Sequence, residues 1–355
     1  MAVIIKAEKL RKFATQLGQK IGLSEKDAYT LSESLVFANL RGIDSHGIVR
    51  LPFYLKRLET RGTNMNPVIK VIKEKPALIL LDGDNGMGQV VGRYGSDMAT
   101  KRAKETGMAY VAVKGSSHFG VASYYAYHIA KEGMAGIVIS NATAVMSAWG
   151  GSKRIIGNNP LAFSVPYKKN EPILLDISMS GVAGGKIRLY AKNNQEIPKG
   201  WILDKEGKET TNPNDLLAGG TLLPFGQHKG YGIAVAIEIL TGVMTGAGMM
   251  GQIPLWIKDL VSPLNIGHVF IAIDITNFMD LATFKKRLSW MIKKLKTSPI
   301  SEDSSGIYFP GELERLTYLK RNKEGIPIAS EIWSDLEALS QKYKVKLSFK
   351  PDIKK

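Results

Sequence analysis

The sequence predicts a mixed α/β fold of the α+β type, with helices at both ends of the chain and strands in its centre. Apolar residues recur at helical spacing near both ends, and short runs rich in Val and Ile fill the region between them. With 355 residues, of which 44% are hydrophobic, the chain can bury one large core or two domains.

The N-terminal region is predicted to be helical. Its apolar residues repeat every three or four positions: Leu10, Phe13, Leu17 and Ile21, followed by Leu31, Leu35 and Val36. Ser24, with Asp27 three residues later, is a typical N-cap of the second helix. We expect that helix to end near "LRGIDSHG", which places His46 at or just after a helix terminus.

The centre of the chain, from about Pro76, is predicted to form buried strands. Its short apolar runs end in Gly, Ser, Asn or Asp: "ALILLDGDNGMG", "MAYVAVKGSSHFG", "AGIVISNA", "LAFSVPY", "PILLDISMS" and "GHVFIAIDIT". Helices are expected between some of them, at residues 91–105 and 123–132. After Asp280 the helical pattern returns, and we expect the terminal helices to pack together. The apolar face of the last helix comprises Ile332, Leu336, Leu339 and Tyr343.

The composition excludes several kinds of protein. There is no cysteine, so a disulfide framework, a Cys-based metal site and a Cys nucleophile are excluded, and a reducing compartment is expected. The N-terminal stretch "MAVIIKAEKL" has too few apolar residues for a signal-peptide core. We therefore expect a cytoplasmic protein.

The formal net charge of +16 is typical of proteins that attract phosphates. Neither clustered exposed aromatic residues nor a nucleic-acid motif accompanies it, so no nucleic-acid partner is expected. The densest basic run, residues 284–296, has the pattern of a surface helix. Its expected apolar face comprises Phe284, Leu288, Met291 and Leu295. Residues 230–250 carry one charge, Glu238, and their glycines favour a buried helix over a membrane span.

A glycine-rich loop follows the first predicted strand of the centre, but it does not match a Rossmann dinucleotide site. Gly86, Gly88 and Gly92 form GxGxxxG instead of GxGxxG. The next strand ends near Lys114, where an acid that binds the ribose would be expected. An ordinary Rossmann site is therefore not predicted here.

The histidines are candidates for proton transfer: His46, His118, His128, His228 and His268. Three lie in glycine-flanked polar loops, "DSHG", "GSSHFG" and "GQHKGYG", and such loops often carry binding groups. A neutral imidazole can exchange the proton that a hydroxyl-to-carbonyl conversion requires. For any one of them a structural role is the simpler interpretation, and we expect His128, in a helical run, to be structural. Their spacing does not predict a metal site.

Other polar residues follow predicted strands: Asn141, the "GNNP" turn at residues 157–160, Asp176, Ser178 and "HKG" at residues 228–230. Lys229 precedes a predicted helix, whose first N–H groups could bind a phosphate together with the lysine ammonium. Lys153 and Arg154 are either phosphate ligands or solvated charges, and we favour the second interpretation.

The stretch "RGIDSHGIVR" gathers an acid, a hydroxyl, an imidazole and a guanidinium: Asp44, Ser45, His46 and Arg50. As one site these groups would move a proton and hold an anion. As a solvated helix end they would have no chemical role. Their spacing alone leaves both interpretations open.

Seven motifs occur in order along the chain: "RGIDSHGIVR", "GSSHFGVASYY", "GNNPLAFSVP", "LLDISMSGVAGGKI", "IPKGWILDKEG", "LLPFGQHKGYG" and "YFPGELE". The series resembles the malate/L-lactate dehydrogenase family of NAD(P)-dependent oxidoreductases, which is unrelated to the Rossmann-type lactate and malate dehydrogenases. The resemblance extends from the first helix to about Leu339. It implies a homodimer with its active site near the subunit interface. It also implies a non-Rossmann cofactor domain on a largely antiparallel mixed sheet (residues 71–280) and a helical domain (residues 1–70 and 281–355).

The resemblance also implies roles for individual residues. His46, beside Ser45, matches a proton donor in several relatives, and His118 matches a proton acceptor in another, so both remain candidates. Arg50 is expected to pair bidentately with a substrate carboxylate, and Tyr54 to line the same pocket. The expected cofactor-binding residues are Asp176, Ile177, Ser178, His228, Lys229, Pro310, Gly311 and Glu312.

The reaction implied by the resemblance is hydride transfer between NAD(P)H and C2 of a small 2-hydroxy or 2-oxo acid, while a histidine moves the hydroxyl proton. Asp44 replaces a histidine associated with ureidoglycolate enzymes, which disfavours that substrate. Lactate, malate, sulfolactate and sugar acids remain open, as does NAD against NADP, with a slight preference for NAD. The alternatives are reduction of a cyclic imine and a non-catalytic basic binding protein with the same fold.

Overall fold

The computed structural model describes residues 2–168 and 171–347, together with the backbone of residues 352–354. Within these ranges the helices are α1 (Ala7–Lys20), α2 (Glu25–Leu40), α3 (Leu51–Glu59), α4 (Gly88–Thr106), α5 (Ala122–Lys131), α6 (Gly184–Lys192), α7 (Asn214–Leu217), α8 (His228–Glu238), α9 (Leu281–Lys296), α10 (Glu312–Glu324) and α11 (Ser330–Tyr343). The strands are β1 (Ala2–Ile5), β2 (Lys70–Lys75), β3 (Leu78–Gly86), β4 (Met108–Ser116), β5 (Met134–Ser140), β6 (Ala144–Ser147), β7 (Arg154–Gly157), β8 (Leu161–Lys168), β9 (Glu171–Ile177), β10 (Ile202–Leu203), β11 (Thr221–Leu222), β12 (Ile266–Asp274), β13 (Ile326–Ala329) and β14 (Asp352–Lys354). Some residues of the predicted terminal domain, namely residues 1, 348–351 and 355, lie outside the described residues.

Seven strands form the central sheet in the order β2-β3-β4-β12-β5-β8-β9. Strands β3 and β4 are parallel, and the other neighbouring pairs are antiparallel. The predicted largely antiparallel mixed sheet is therefore confirmed. Helices cover both faces, since Phe270 packs with residues of α4 and α5 while its neighbour Val269 packs with residues of α8. Burial on both faces explains why strand β12 reads as a continuous apolar run.

Two smaller sheets have the orders β10-β11-β6-β7 and β13-β1-β14. In the second, β1 pairs with β13 from Ala2↔Ala329 to Ile5↔Ile326, so the two ends of the chain meet in one sheet. We did not predict this terminal sheet, because a four-residue run such as "AVII" is too short for its period to separate a strand from the start of α1.

The predicted helices at the two ends share one apolar core. Leu10 and Phe13 of α1, Leu31 of α2 and Leu336 of α11 are all buried within it. The N-cap prediction is also confirmed, because the hydroxyl of Ser24 accepts a hydrogen bond from the third N–H of α2. Helix α2 ends at Leu40, so the following loop starts from a fixed position on this core.

The three glycines of the apparent dinucleotide motif serve close packing. A Cβ atom at Gly86 would lie 2.7 Å from the ring of Pro67, and one at Gly92 would lie 2.7 Å from the ring of Tyr125. A Cβ atom at Gly88 would lie 2.3 Å from the carbonyl oxygen of Ser117. Only residues without a side chain fit at these contacts. The motif therefore packs the start of α4 against the loop after β4 and against α5, which accounts for its departures from the Rossmann pattern.

Two helix predictions need correction in their buried faces. Helix α8, continued by a π-helical turn at Ile239–Val243, is buried on one side only, and Val243 is 59% exposed. In α9 the buried residues are Leu288 and Ile292, whereas Met291 and Leu295 are about half exposed. Of the predicted face, Leu288 is buried and Phe284 packs against the same small core, but Ile292 takes the place of Met291 and Leu295 because apolar residues occur on more than one side of α9. Within the described ranges we find no helix that is both long and apolar enough to cross a membrane.

Candidate active site

The "DSHG" stretch forms a compact loop between α2 and α3. Two short 3₁₀ turns, Asp44–His46 and Ile48–Arg50, lead directly into α3. The side-chain oxygen of Asn39 accepts a hydrogen bond from the Ile48 N–H at 2.7 Å. A Cβ atom at Gly47 would lie 2.3 Å from this amide, so only glycine permits the close approach that folds the loop back on α2.

Asp44 anchors this loop and is not free to react. Arg321 of α10 donates from both terminal nitrogens to the Asp44 carboxylate, at 2.6 and 2.9 Å. The side-chain amide of Asn39 donates to the same carboxylate at 2.6 Å. Such a bidentate pair fixes position as well as charge. Of the four polar groups grouped in the sequence, Asp44 therefore supports the site, while the other three remain candidates for chemistry.

Ser45, His46 and Arg50 are held together on the loop. The Ser45 hydroxyl lies 3.0 Å from Nδ1 of His46. Arg50 donates from Nε to the Ser45 carbonyl oxygen at 2.6 Å, which leaves its two terminal nitrogens for an anion. Its guanidinium carbon also lies 5.3 Å from the ring centre of Trp256, so an aromatic surface fixes its orientation.

His118 reaches the same place from the loop after β4. Its ring lies 5.7 Å from the ring of His46, with an angle of 18° between the two planes. Nδ1 of His118 is 2.6 Å from the hydroxyl of Tyr54, which α3 carries one turn after Arg50. The indole of Trp256 stacks on His118 at 4.4 Å. All five predicted substrate and catalytic residues therefore meet in one cluster, although Trp256 was not predicted.

The electrostatics of the cluster favour uncharged imidazoles. Desolvation lowers the pKa of His46 to about 4, and the charge of Arg50 adds to this effect. Desolvation lowers the pKa of His118 well below its usual value, with further contributions from His46 and Arg50. Burial raises the pKa of Tyr54, so its hydroxyl keeps its proton at physiological pH. The cluster therefore combines a cation for an anionic group with two neutral imidazoles that can exchange a proton.

Trp256 is held in place by a buried arginine. Arg57 of α3 is 2% exposed and donates to the carbonyl oxygens of Gly62, Asp259 and Ser262. These hydrogen bonds tie the loop that follows Trp256 to the helix that carries Tyr54. Nothing in the local sequence indicates this contact, because its partners lie about 200 residues apart along the chain.

The remaining histidines lie elsewhere. His268 is completely buried in β12, where its ring nitrogens lie 2.8 Å from the hydroxyl of Ser140 and 2.9 Å from that of Ser116. His128 lies on α5, with Nε2 at 3.2 Å from a terminal nitrogen of Arg93. Within the described residues we find no group of three or more His, Asp or Glu side chains that could hold a metal ion.

One group of predicted cofactor residues gathers at strand β9. The Asp176 carboxylate accepts a hydrogen bond from the Ser123 N–H at 2.9 Å, and desolvation raises its pKa. Gly311 lies directly on β9, since a Cβ atom there would be 2.2 Å from the Leu174 carbonyl oxygen. Pro310 precedes it, and Glu312 at the start of α10 forms an ion pair with Lys296.

The other group lies where β9 meets α8, and comprises Ile177, Ser178, His228 and Lys229. The Met179 carbonyl accepts from the Phe225 N–H at 3.0 Å, which brings the segment after Ser178 beside the start of α8. The expectation of free N–H groups there does not hold for Lys229 and Gly230, whose N–H groups donate to the carbonyls of Gly226 and Phe225. The Lys229 side chain itself is exposed.

The residues around the start of α8 fit an aromatic, polyanionic ligand. The exposed indole of Trp149 lies 5.5 Å from the ring of His228, and Lys229 adds a cation. Helix α6 lies against the histidine cluster, because a Cβ atom at Gly185 would be 3.1 Å from Cβ of Ser45, and its Ile187 belongs to the same apolar cluster as Phe225 before α8. Arg154 is not available for such a ligand, since it donates to the carbonyls of Leu216 and Gly220. A nicotinamide dinucleotide has the rings and phosphates that this donor set would bind.

Comparison with known proteins gives a consistent result. The family model for malate/L-lactate dehydrogenase matches residues 5–337. A malate dehydrogenase of Pyrococcus horikoshii is 38% identical over 94% of this chain and 94% of its own length. An L-sulfolactate dehydrogenase of Methanocaldococcus jannaschii is 36% identical over 95% of this chain and 96% of its own length. The solved structure of malate dehydrogenase from Entamoeba histolytica is 31% identical, with a TM-score of 0.94, and the match covers 98% of this chain and 100% of that one. Both NAD⁺- and NADP⁺-dependent enzymes occur among the named relatives.

Proposed function

The chain belongs to the malate/L-lactate dehydrogenase family of NAD(P)-dependent oxidoreductases, and from this premise we propose that it interconverts small 2-hydroxy and 2-oxo carboxylic acids through His46, Arg50 and His118. The observation that carries the proposal is the meeting of a guanidinium and two imidazoles, which come from the loop before α3 and the loop after β4. A bound nicotinamide would supply the acceptor or donor of the hydride at C2.

In the proposed mechanism Arg50 holds the carboxylate of the acid. Its terminal nitrogens form the fork that pairs with a carboxylate, while the Ser45 carbonyl and Trp256 fix its position. This places the adjacent C2 oxygen near the imidazoles, one of which takes the hydroxyl proton during oxidation and returns it during reduction. Tyr54 orients His118 through the hydrogen bond to Nδ1.

Carboxylate binding would also prepare the acid form of a histidine. The charge of Arg50 contributes to the lowered pKa of both His46 and His118. A carboxylate paired with Arg50 offsets that charge, so the imidazoles gain protons more readily once the acid is bound. Reduction needs such a protonated histidine, and the proposal therefore links substrate binding to proton uptake.

We propose that the cofactor is held by the residues around β9 and α8 that were predicted for this role: Asp176, Ile177, Ser178, His228, Lys229, Pro310, Gly311 and Glu312. Exposed Trp149 beside His228 supports this assignment. We propose NAD as the preferred cofactor, which the ratio of rates with NADH and NADPH will test.

We further propose that the preferred acids carry a second anionic group. The relatives described above are named for malate and sulfolactate, which both have one. In this chain the charge of Arg188 is close enough to lower the pKa of Arg50. Arg188 lies one turn beyond Gly185, which contacts Ser45, and its side chain makes no ion pair or hydrogen bond with the described residues. Arg188 is thus a second cation that such an acid would engage.

We propose a homodimer as the functional state. Exposed apolar side chains support this: Ile239, Val243 and Met244 on and after the π-helical turn, and Leu313, Leu316 and Leu319 along α10. Exposed large apolar side chains grouped on one segment are typical of an interface. Light scattering should give twice the mass of the chain, and a monomer at micromolar concentration would contradict the proposal.

The first experiment is a steady-state assay of nicotinamide absorbance, with NADH and NADPH in parallel. The panel comprises pyruvate, oxaloacetate, sulfopyruvate, diketogulonate and piperideine-2-carboxylate. We expect turnover with oxaloacetate or sulfopyruvate to exceed turnover with pyruvate. If only the cyclic imine reacts, the 2-oxo acid assignment is wrong, and if no compound reacts and NADH fluorescence shows no binding, the enzyme proposal is wrong.

The role of Arg188 is tested by Arg188→Met in the same assay. We expect kcat/KM for the dianionic acid to fall about tenfold while that for pyruvate changes little, because one exposed charge–charge contact is lost. Arg287→Met, which makes the same change on the exposed face of α9, is the control variant. An equal loss of kcat/KM for both acids would mean that Arg188 does not bind the second anionic group.

A further inference from the structure

Gln89 is a buried polar residue that the mechanism above does not use. It lies in the first turn of α4 and is 0% exposed, and neither atom of its amide has a hydrogen-bond partner among the described residues. Its neighbour Gly88 lies against the loop that carries His118, where a Cβ atom would be 2.5 Å from the His118 carbonyl oxygen. The start of α4 is therefore fixed beside the candidate active site. A buried amide without a partner at such a place calls for an explanation.

The Gln89 amide lies beside the pair formed by Tyr54 and His118. Its nitrogen is 3.8 Å from the position that a Cβ atom on Gly120 would take. Burial raises the pKa of Tyr54, whereas Arg50 and the side chain of Gln89 lower it. The amide therefore acts on the Tyr54 hydroxyl as a nearby hydrogen-bonding group, although no hydrogen bond of ordinary geometry joins the two. A neutral Tyr54 has one proton to donate and can also accept.

The hydrogen bonds of His118 define its tautomer in this state. The Gly120 N–H, which can only donate, lies 3.4 Å from Nδ1 of His118, so Nδ1 carries no proton. Tyr54 must then donate its hydroxyl proton to Nδ1, at a distance of 2.6 Å. The proton of the neutral ring is therefore on Nε2.

This tautomer cannot take up a proton at Nε2. During oxidation the hydroxyl O–H bond of the acid breaks as C2 loses a hydride, for which a bound nicotinamide would be the acceptor, and the released proton needs a vacant ring nitrogen. If His118 receives it at Nε2, the ring cycles between the form protonated on Nδ1 alone and the imidazolium. Both forms carry a proton on Nδ1, which must be donated to the oxygen of Tyr54. The hydroxyl proton of Tyr54 then needs a different acceptor, and the Gly120 N–H gives up its long hydrogen bond of 3.4 Å to Nδ1.

We propose that Gln89 is that acceptor: a positioning residue whose side-chain oxygen takes the hydrogen bond from Tyr54 and so allows His118 to carry a proton on Nδ1. This inference rests on the proposed function, in which His118 belongs to the acid/base pair. Tyr54 alternates between two partners, donating to His118 in the state described here and to Gln89 in the reacting state. The alternation explains why the buried amide is close to the hydroxyl but unpaired.

The test uses full-length protein labelled with ¹⁵N-histidine, without ligand, and the His118 ring signals assigned by comparison with His118→Asn. Gln89→Glu introduces a stronger acceptor for the Tyr54 proton, and Gln89→Met removes the acceptor at similar volume. We expect long-range ¹H–¹⁵N spectra to show the proton on Nε2 in wild type and in Gln89→Met. In Gln89→Glu we expect Nδ1 to show the chemical shift of a protonated nitrogen and Nε2 that of an unprotonated one, the reverse of wild type. The same tautomer in both variants would overturn the inference.

A kinetic measurement covers the case in which Gln89→Glu does not fold. We expect Gln89→Met to lower kcat at least about tenfold with little change in KM, since proton transfer is impaired while the acid still binds. An unchanged kcat would overturn the inference. Failure of the proposed function gives a different result: full activity of His118→Asn would remove His118 from the acid/base pair, whereas the tautomer exchange in Gln89→Glu would still stand.

Discussion

The loop region around His46 and His118 and the interior of the central sheet around His268 both contain desolvated imidazoles, but their hydrogen bonding differs. In the sheet, both ring nitrogens of His268 are paired with buried serine hydroxyls. In the loop region, Nδ1 of His46 is held by Ser45 and Nδ1 of His118 by Tyr54. Nε2 of each loop histidine has no hydrogen-bond partner among the described residues, and Arg50 provides a site for an anion beside them.

The comparison shows that a shifted pKa does not by itself identify a catalytic histidine. Desolvation lowers the pKa of His268 to about 3 and that of His46 to about 4, so both are neutral at physiological pH. What distinguishes His46 is a ring nitrogen left available and a neighbouring cation that can bind the substrate. Around His268 the hydroxyls of Ser116 and Ser140 occupy both ring nitrogens, so this histidine stabilises the sheet and has no nitrogen available for a substrate.

The strongest test of this contrast replaces one histidine in each region by asparagine. We expect His118→Asn to lower kcat by roughly 10²- to 10⁴-fold, the usual contribution of a general acid or base, with little effect on thermal stability. His268→Asn should retain most of kcat but lose about 1–3 kcal/mol of unfolding free energy, because buried hydroxyls lose their partner. Steady-state kinetics and urea unfolding of both variants would measure the two effects. If His268→Asn loses activity at unchanged stability, the contrast is wrong.

The next test replaces the planar guanidinium of the anion site by an ammonium group and so keeps the positive charge. Arg50→Lys should lower kcat/KM on the order of 100-fold, through a higher KM and a lower kcat, since an ammonium cannot reproduce the two-point contact that orients the acid. Arg287→Lys on α9 is the matched control, because it makes the same change at an exposed position. Unchanged kinetics in Arg50→Lys would remove Arg50 from the substrate site.

The sequence was sufficient for the parts of the fold with a clear period. Helices α1 and α11 bury one apolar face, α2 is buried on nearly all sides, and the strands of the central sheet are short apolar runs, so local pattern and tertiary structure agree. The terminal sheet was missed because its strands are short and come together only when the two ends of the chain meet. The buried face of α9 was only partly predicted, since Phe284 and Leu288 pack inward but Met291 and Leu295 do not, because the neighbours of the helix decide which apolar side is covered.

For the candidate site, the sequence predicted the reacting and anion-binding residues but not the residues that hold them in place. His46, His118 and Arg50 lie in glycine-flanked motifs whose residue types suggest acid–base chemistry and anion binding. Their supports are distant in sequence: Arg321 pairs with Asp44 across 277 positions, and Trp256 stacks on His118. Gln89 lies within a motif that reads as a dinucleotide loop. Such contacts exist only in the folded chain, so no local pattern indicates them.

The smallest effect concerns the pH dependence of stability, to which the sheet histidine contributes together with His46, His118 and His128, whose pKa values are also lowered. In the unfolded chain His268 gains a proton near pH 6.5, the ordinary value, whereas burial lowers its pKa to about 3 in the folded protein. Below pH 6.5 the unfolded chain therefore binds the proton first. The stabilising contribution is complete above pH 6.5 and is lost as the pH falls toward 3, by up to about 1.4 kcal/mol per pH unit.

His268→Asn should remove this contribution, so its unfolding free energy should change less steeply between pH 6.5 and 4 than that of wild type. The matched control is Val269→Ala, the next residue of β12, which is also completely buried. It deletes methyl groups without a titrating side chain and should lower stability by a similar amount at every pH. Urea unfolding at half-unit pH steps measures the three slopes. Equal slopes in wild type and His268→Asn would mean that His268 is not the neutral, fully paired histidine on which the contrast depends.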